Sequence, residues 1–412
     1  MTAPLIELKN VTKRFGNHTV LDRLNLTVFE GDITTIIGKS GGGKSVLLKH
    51  IIGLLRPDEG DILINNKPFK EMTRKEQTQF KRQTSYMFQN NALFDSLTVF
   101  ENIALPLREK TRMREDAIKS KVMAKIDQME LSHEVIHKYP SQISGGMQKR
   151  VALARALITE PKIIFFDEPT TGLDPLRKNA VLGMISHYQK KIGFTALLVS
   201  HDIPDVFFIS NRVAIIDNGR IIFQGKPIEL EQSENPVVHD FIRGQINLKD
   251  DLTGLNTKQE VMDLLIQEMD RANRLQANFP VIMFTIDNMT QINKHVGYIT
   301  AQRIVQCLST LLKEHFGAAG TSARFSQNEI LMVLPHTDIK EAEKDLNELA
   351  VDLQKQEIFQ AKSYPKACLS FSVSAGLSEA KQGTDTDSLI GQALSNQKII
   401  AHVECIKQGE TA

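Results

Sequence analysis

The eight residues Gly38-Lys39-Ser40-Gly41-Gly42-Gly43-Lys44-Ser45 fit the pattern G-x-x-x-x-G-K-[ST]. Their chemistry is phosphate binding. Glycines let successive backbone N–H groups turn inward around phosphate oxygens, and a helix start behind them adds its positive dipole end. The Lys44 ammonium can bridge the terminal phosphates, and the Ser45 hydroxyl can ligate Mg²⁺. Further along, Ile163-Ile164-Phe165-Phe166-Asp167-Glu168 is an apolar run that ends in two acids. Asp167 suits a metal held through its water shell, and Glu168 suits a general base that polarises an attacking water. Between these motifs, Ser144-Gly145-Gly146-Met147 opens a run that carries Arg150 and Arg155. A hydroxyl and free N–H groups at a helix start make a second anion site.

These groups need a scaffold that brings distant segments to one place. Strands are expected at Asp32–Ile37, Lys162–Phe166, Thr195–Ser200 and Arg212–Asp217, several of them near-continuous apolar runs suited to burial on both faces. Helical periodicity occupies Lys44–Leu55, Arg74–Arg82, Arg112–Leu131, Met147–Thr159 and Arg177–Lys191. The pattern is an α/β fold with a helical insertion. From Asp250 the alternation begins again in a smaller unit. The segment 243–250 carries no sustained period, and Thr257 and Glu260 form a T-x-x-E start signal beyond it. The expected division is residues 1–244, a linker at 245–250, and a second domain at 251–412.

With 412 residues, the chain is long enough for two or three domains. Fifty Lys+Arg against 49 Asp+Glu leave a net charge of +1, so bulk electrostatics give no reason to expect a nucleic-acid partner. The 41% hydrophobic and 24% charged content excludes disorder, collagen-like repeats and a coiled-coil rod. Cys307, Cys368 and Cys405 are too few and too scattered for a disulfide framework and suit a reducing compartment. Residues 1–10 show no signal-peptide pattern and no stretch reaches the 18 or so apolar residues of a membrane helix, so a cytoplasmic chain is expected, with any membrane role supplied by a partner.

On these motifs, residues 5–244 resemble the ATP-binding cassette (ABC) ATPases, in the family's motif order. The resemblance implies ATP and Mg²⁺ as ligands, with residues 38–46 as the Walker A segment, Val46 included. It makes Gln89 the Q-loop glutamine that touches Mg²⁺ beside Ser45 and Asp167, and Asp174 in Gly172-Leu173-Asp174-Pro175 the D-loop aspartate. His201 in Val199-Ser200-His201-Asp202 becomes the switch histidine beside the γ-phosphate, completing hydrolysis with Glu168, and Phe15 the ring that stacks on adenine. Ser144, Gly145, Gly146 and Met147 resemble the signature, with Ile143 and Met147 where Leu and Gln are usual. The family implies a homodimer in which each signature closes on the partner's ATP. Only about 54 residues lie between Gln89 and Ser144, too few for the arms of chromosome-handling relatives, and the single phosphate loop disfavours tandem-cassette translation factors. Segments 43–50, 88–99 and 145–150 are similar to the ATPases of maintenance-of-lipid-asymmetry (Mla) systems. That similarity implies an integral permease, with residues 92–99 against it. It also implies a lipid-binding envelope subunit, phospholipid cargo, and a peripheral place on the cytoplasmic face of the inner membrane.

Residues 250–412 read helix 257–276, strand 280–287, helix 298–316, hairpin strands 321–325 and 330–335, helix 338–354, strand 368–377 and helix 387–401. That order suits a ferredoxin-like or cyclase-like α/β sandwich. Segment 251–256, Ile292-Asn293, Arg324-Phe325 and 374–376 resemble a GGDEF diguanylate cyclase domain. The hairpin motif reads Ser326-Gln327-Asn328-Glu329-Ile330, Thr285 stands at the first metal-binding aspartate and only Asp287 of that pair remains. Thr290 replaces the phosphate-binding lysine, and Gly317 and Gly320 replace the product-inhibition site. The domain is expected to be regulatory or dimerising and not an active cyclase. An alternative keeps Asn293 as a guanine contact, so that guanine-nucleotide sensing gates an ATPase with a non-lipid cargo.

Overall fold

The computed structural model describes residues 4–39, 41–89, 91–203, 205–231, 233, 235–243, 249–275, 277–317, 319–360 and 370–404. Two compact units divide the chain, Met1–Ile246 and Asn247–Ala412. Of the expected linker, only Lys249 and Asp250 fall among the described residues.

The described strands of the first unit are β1 (Pro4–Phe15), β2 (His18–Phe29), β3 (Ile33–Gly38), β4 (Glu59–Ile64), β5 (Lys67–Pro68), β6 (Thr84–Met87), β7 (Ile163–Asp167), β8 (Thr195–Ser200), β9 (Arg212–Asp217) and β10 (Arg220–Gly225). They form two sheets, ordered β2-β1-β4-β5 and β10-β9-β3-β8-β7-β6. In the second sheet β9, β3, β8, β7 and β6 run parallel, and β10 returns antiparallel at the edge. Every residue of β3, β7 and β8 is buried, as the near-continuous apolar runs require. Phe165 and Phe166 are fully enclosed on opposite faces of β7, and each such side chain contributes roughly 1.5–3 kcal/mol of burial.

Helix boundaries depart from the expected ones where local signals compete. The helix after the phosphate loop spans Lys44–Ile51 and stops short of Leu55. The expected helix at 112–131 is confined to Glu115–Gln128. An unanticipated helix, Val99–Lys110, precedes it despite Pro106 in its interior. Its start carries a full capping box: Thr98 Oγ1 accepts from Glu101 N at 3.2 Å, while Thr98 N donates back to Glu101 Oε2 at 2.8 Å.

The second unit holds one six-stranded sheet, ordered β11-β13-β14-β12-β15-β16. Its strands are β11 (Asn256–Thr257), β12 (Phe279–Ile286), β13 (Thr321–Arg324), β14 (Glu329–Val333), β15 (Ser370–Ala380) and β16 (Lys398–Glu404). Helices Lys258–Leu275, Tyr298–Phe316 and Ile339–Lys355 fall where expected, and a further short helix covers Met289–Val296. The expected helix 387–401 is corrected: it ends at Ser395, and Lys398–Glu404 is a strand paired to β15. Ala401 and Val403 bury on alternate positions against the sheet, and that pairing overrides helical continuation. Cys307 is a free thiol, while Cys368 and Cys405 lie outside the described residues.

Candidate active site

Strand order explains why distant motifs meet. Parallel strands β3, β6, β7 and β8 all end on one edge of the sheet, where α/β folds place ligands. The phosphate loop leaves β3, Gln89 follows β6, Asp167 and Glu168 close β7, and His201 follows β8.

The loop needs glycine at its close. Gly43 caps the helix at φ 92°, and a Cβ there would lie 2.9 Å from Leu21 Cδ2 and 3.0 Å from the Val20 carbonyl oxygen. Lys44 is 5% exposed, and its Nζ donates to the carbonyls of Gly38 at 2.7 Å and Lys39 at 2.9 Å. Two of three ammonium donors thus shape the loop, and one remains for phosphate. Burial pushes the Lys44 pKa down, opposed by the charges of Glu168 and Asp167. Gly41, Gly42 and Lys39 complete the loop with Gly42 N donating to Lys39 O at 3.0 Å, and Val46 sits in the first helical turn. Ser40 lies outside the described residues.

Asp167 accepts from Ser45 Oγ and from the Tyr86 hydroxyl, both at 3.1 Å. Its burial pushes the carboxyl pKa up, while both hydrogen bonds pull it back. Burial and the Asp167 charge raise the pKa of Tyr86, so that hydroxyl stays a donor. Glu168 has a left-handed backbone, φ 48°, a conformation costly outside glycine and concentrated at functional positions. Its N–H is anchored on Val199 O at 2.9 Å. Its carboxylate receives Gln89 Nε2 at 2.7 Å and Thr171 Oγ1 at 2.9 Å on Oε2, and His201 Nδ1 lies 3.6 Å from Oε1. The turn beside His201 is fixed by Thr170 bonding to Asp202 and by Lys178 Nζ, 2.9 Å from Asp205 and 3.5 Å from Asp202.

Tyr86, Thr171 and Lys149 belong to this cluster and were not anticipated. Tyr86 lies on β6, three residues before Gln89, and Thr171 follows the second acid by three residues, so proximity to the motifs was the available signal. Lys149 Nζ donates to the Gln89 carbonyl at 2.6 Å.

Other expected site residues are engaged in local contacts. Ser144 caps the helix Gly145–Leu157, accepting from Met147 N at 3.3 Å. Asp174 caps Pro175–Ile192, accepting from Arg177 N at 3.0 Å. Among the described residues no hydrogen bond or ion pair joins Ser144, Gly145, Gly146, Met147 or Asp174 to the phosphate loop. Phe15 ends β1, 48% exposed, with Lys13 Nζ 5.4 Å from its ring centroid.

Beyond Gln89, Phe88, Leu93, Phe94, Leu105, Pro106 and Phe165 line a cleft of about 740 Å³. Asn102 holds its loop, accepting from Phe94 N at 2.8 Å and donating to Phe94 O at 3.1 Å. Phe94 is nevertheless 52% exposed instead of packing inward.

In the second unit, Thr285 on β12 pairs with Glu329 on β14, and Thr285 Oγ1 accepts from Gln397 Nε2 at 2.5 Å. Asp287 Oδ2 accepts from Ser372 Oγ at 2.8 Å and Ser374 Oγ at 2.5 Å. Among the described residues no cluster of three or more His, Cys, Asp or Glu could hold a metal.

A phosphate loop, paired acids and a histidine at the carboxyl edge of a parallel sheet, with a helical insertion, define an ABC-type ATPase. The ABC transporter family matches residues 21–171, and the diguanylate cyclase, GGDEF domain family matches residues 247–398. Over 245 residues the chain is 37% identical to the intermembrane phospholipid transport system ATP-binding protein MlaF of Haemophilus influenzae, covering 60% of this chain and 92% of that protein. Identity of 37% over 240 residues also links it to the probable ribonucleotide transport ATP-binding protein mkl of Mycobacterium leprae, covering 58% of this chain and 69% of that protein. A dimeric ATP-binding cassette in a post-hydrolysis state bound to ADP and Pi superposes with TM-score 0.50 at 33% identity, covering 54% of this chain and 98% of that one. CbiO1 of Clostridium perfringens, part of an ABC transporter complex, gives 0.51 at 28% identity, covering 58% and 95%. The chain belongs to the ABC transporter ATP-binding family: it is an ATP-binding, ATP-hydrolysing subunit that also carries a GGDEF domain.

Proposed function

We propose that residues 1–244 power phospholipid transport across a bacterial envelope, with Glu168 as the general base. The carrying observation is the carboxylate of Glu168 held by Gln89 and Thr171 and facing His201. That arrangement leaves one oxygen directed at the histidine and able to take a proton from water. Lys44 and the loop N–H groups bind the phosphates, and Phe15 offers a ring for adenine. Ser45, Asp167 and Gln89 are hard oxygen donors suited to Mg²⁺, which supplies charge neutralisation when bound. His201 contacts the γ-phosphate, so its loss on hydrolysis is sensed at the end of β8. Among the described residues Ser144 to Met147 and Asp174 make no hydrogen bond or ion pair to their own loop, which supports a homodimer in which they serve the partner's ATP.

No helix among the described residues is long and apolar enough to cross a membrane. An integral permease is therefore the proposed membrane element, seated on the cleft beside Phe94 at the cytoplasmic face, with a lipid-binding envelope subunit beyond it. The phospholipid cargo rests on the similarity to MlaF. The test is affinity purification of the tagged Glu168→Gln chain from detergent-solubilised membranes, with mass spectrometry of co-purifying proteins and lipids. Recovery of a permease for another solute would remove the lipid cargo. Adding Phe94→Asp should cut permease recovery about thirtyfold or more, as expected for a charged replacement at an interface anchor worth over 2 kcal/mol. Undiminished recovery would place the permease elsewhere.

For residues 251–412 we propose a regulatory or dimerising role without cyclase activity. The residues present do not fit the cyclase metal: Thr285 offers no carboxylate and is engaged by Gln397, and one oxygen of Asp287, Oδ2, already accepts from two serine hydroxyls. Purified chain incubated with GTP and Mg²⁺ should yield no cyclic di-GMP, and its appearance by liquid chromatography would refute the role. A buried Asn293 Oδ1 without a hydrogen-bond partner favours one second reading, guanine-nucleotide gating with a non-lipid cargo. Calorimetry of the full chain with GTP, its phosphate loop first saturated with a non-hydrolysable ATP analogue, distinguishes it, since a flat titration removes the sensor.

A further inference from the structure

The Gln89 amide can orient Glu168 only if its own backbone is held, and the chain beyond it adopts an unfavourable conformation. Asn91 at φ 62° and Ala92 at φ 45° both lie in the left-handed region, which asparagine tolerates and alanine rarely adopts. One helix, Gly145–Leu157, supplies the restraint. Arg155 donates to Ala92 O at 2.7 Å and Asn91 O at 2.6 Å, and Gln148 Oε1 accepts from Asn91 Nδ2 at 3.4 Å. Lys149 completes the grip at Gln89 itself, with Nζ donating to the carbonyl at 2.6 Å. Lys149 is 5% exposed, and burial pushes its pKa down while the Glu168 charge opposes the shift. A methionine or leucine would fill the same space without desolvating a charge.

We propose that Lys149 is a positioning residue for hydrolysis: from the signature helix it fixes the Gln89 backbone, and through the Gln89 amide it orients the Glu168 carboxylate. The chain of contacts is continuous, Lys149 Nζ to Gln89 O at 2.6 Å and Gln89 Nε2 to Glu168 Oε2 at 2.7 Å. It ties the helix that presents Ser144 to the group that activates water, so movement of either is felt by the other. The inference rests on Glu168 acting as the base.

Steady-state ATPase kinetics of the purified full chain test it. Lys149→Met should lower kcat about tenfold, the scale for modest misplacement of a catalytic group. KM for ATP should stay within about twofold, because Lys44 and the phosphate loop are untouched. Lys149→Arg restores a donor of similar reach and should recover turnover to within about threefold of the native chain. In a Gln89→Ala background, Lys149→Met should have no further effect beyond about twofold, since the intermediary is gone. If Lys149→Met does not fold, Lys149→Gln decides, one bond shorter and expected to fall as far. A native kcat in Lys149→Met or Lys149→Gln, or a full tenfold loss in the Gln89→Ala background, overturns the proposal. Glu168→Gln measured alongside separates the two ideas: native turnover there removes the general base, whereas a dead Glu168→Gln with a native Lys149→Met removes only the role of Lys149.

Discussion

Glu168→Gln is expected to bind ATP as tightly as the native chain and to hydrolyse it about 10²–10⁴-fold more slowly, a loss of about 3–5 kcal/mol of transition-state stabilisation. The amide is nearly isosteric, and the hydrogen bonds allow it to sit without rearrangement. Gln89 Nε2 and Thr171 Oγ1 both donate to Oε2, a position the amide oxygen can occupy. The amide nitrogen then takes the place of Oε1, 3.6 Å from His201, where it cannot accept a proton. The backbone strain at φ 48° is common to both side chains, so the comparison isolates the lost base. Single-turnover ATP hydrolysis, paired with equilibrium binding of a fluorescent ATP analogue, provides the check. Turnover within about threefold of native would mean that another group, His201 foremost, takes the proton. Weakened binding with native kcat would instead assign Glu168 to substrate binding.

The first unit's site was largely legible in the sequence because its chemistry is written in contiguous motifs that end apolar strands. Residues 38–45 and 163–168 each declare a strand, a turn and a reactive group in one run. Residues acting through tertiary contact were not legible. Tyr86 reaches Asp167 across two paired strands, and Lys149 reaches Gln89 from a helix about 60 residues on, so no local spacing announces either contact. The helix Val99–Lys110 was hidden by Pro106, although the Thr98–Glu101 capping box was available to find it. At 387–401 the apolar spacing served two structures equally. Asn396 ends the helix and Lys398–Glu404 joins the sheet, a choice decided by the open edge of β15 and not by residue type. In the GGDEF domain the sequence showed which carboxylates were absent. Only the structure shows what Asp287, the one left of its pair, does: it binds Ser372 and Ser374.

Arg324→Met should cost the second unit about 3–5 kcal/mol, the penalty for breaking a buried ion pair and leaving one charge alone. Arg324 and Asp250 each have side chains only 1% exposed, with Arg324 Nη1 3.3 Å from Asp250 Oδ2. The other oxygen, Oδ1, accepts from Thr253 N at 2.7 Å and Thr253 Oγ1 at 2.6 Å, so the carboxylate cannot turn to solvent without undoing the Asp250–Gly254 turn. That turn leads into β11, which pairs with Ala323–Arg324 of β13, so the loss spreads into the sheet edge. Adding Asp250→Asn should restore about 1–3 kcal/mol, because the amide oxygen still serves Thr253 and no unpaired charge remains. Urea unfolding of the full chain gives the magnitude, and hydrogen exchange of β13 and β14 assigns it to the second unit. A cost below about 1 kcal/mol would mean that the pair contributes no more than an exposed one. Equal stability of the single and double variants would mean that the cost comes from lost packing of the arginine stem and not from the stranded carboxylate.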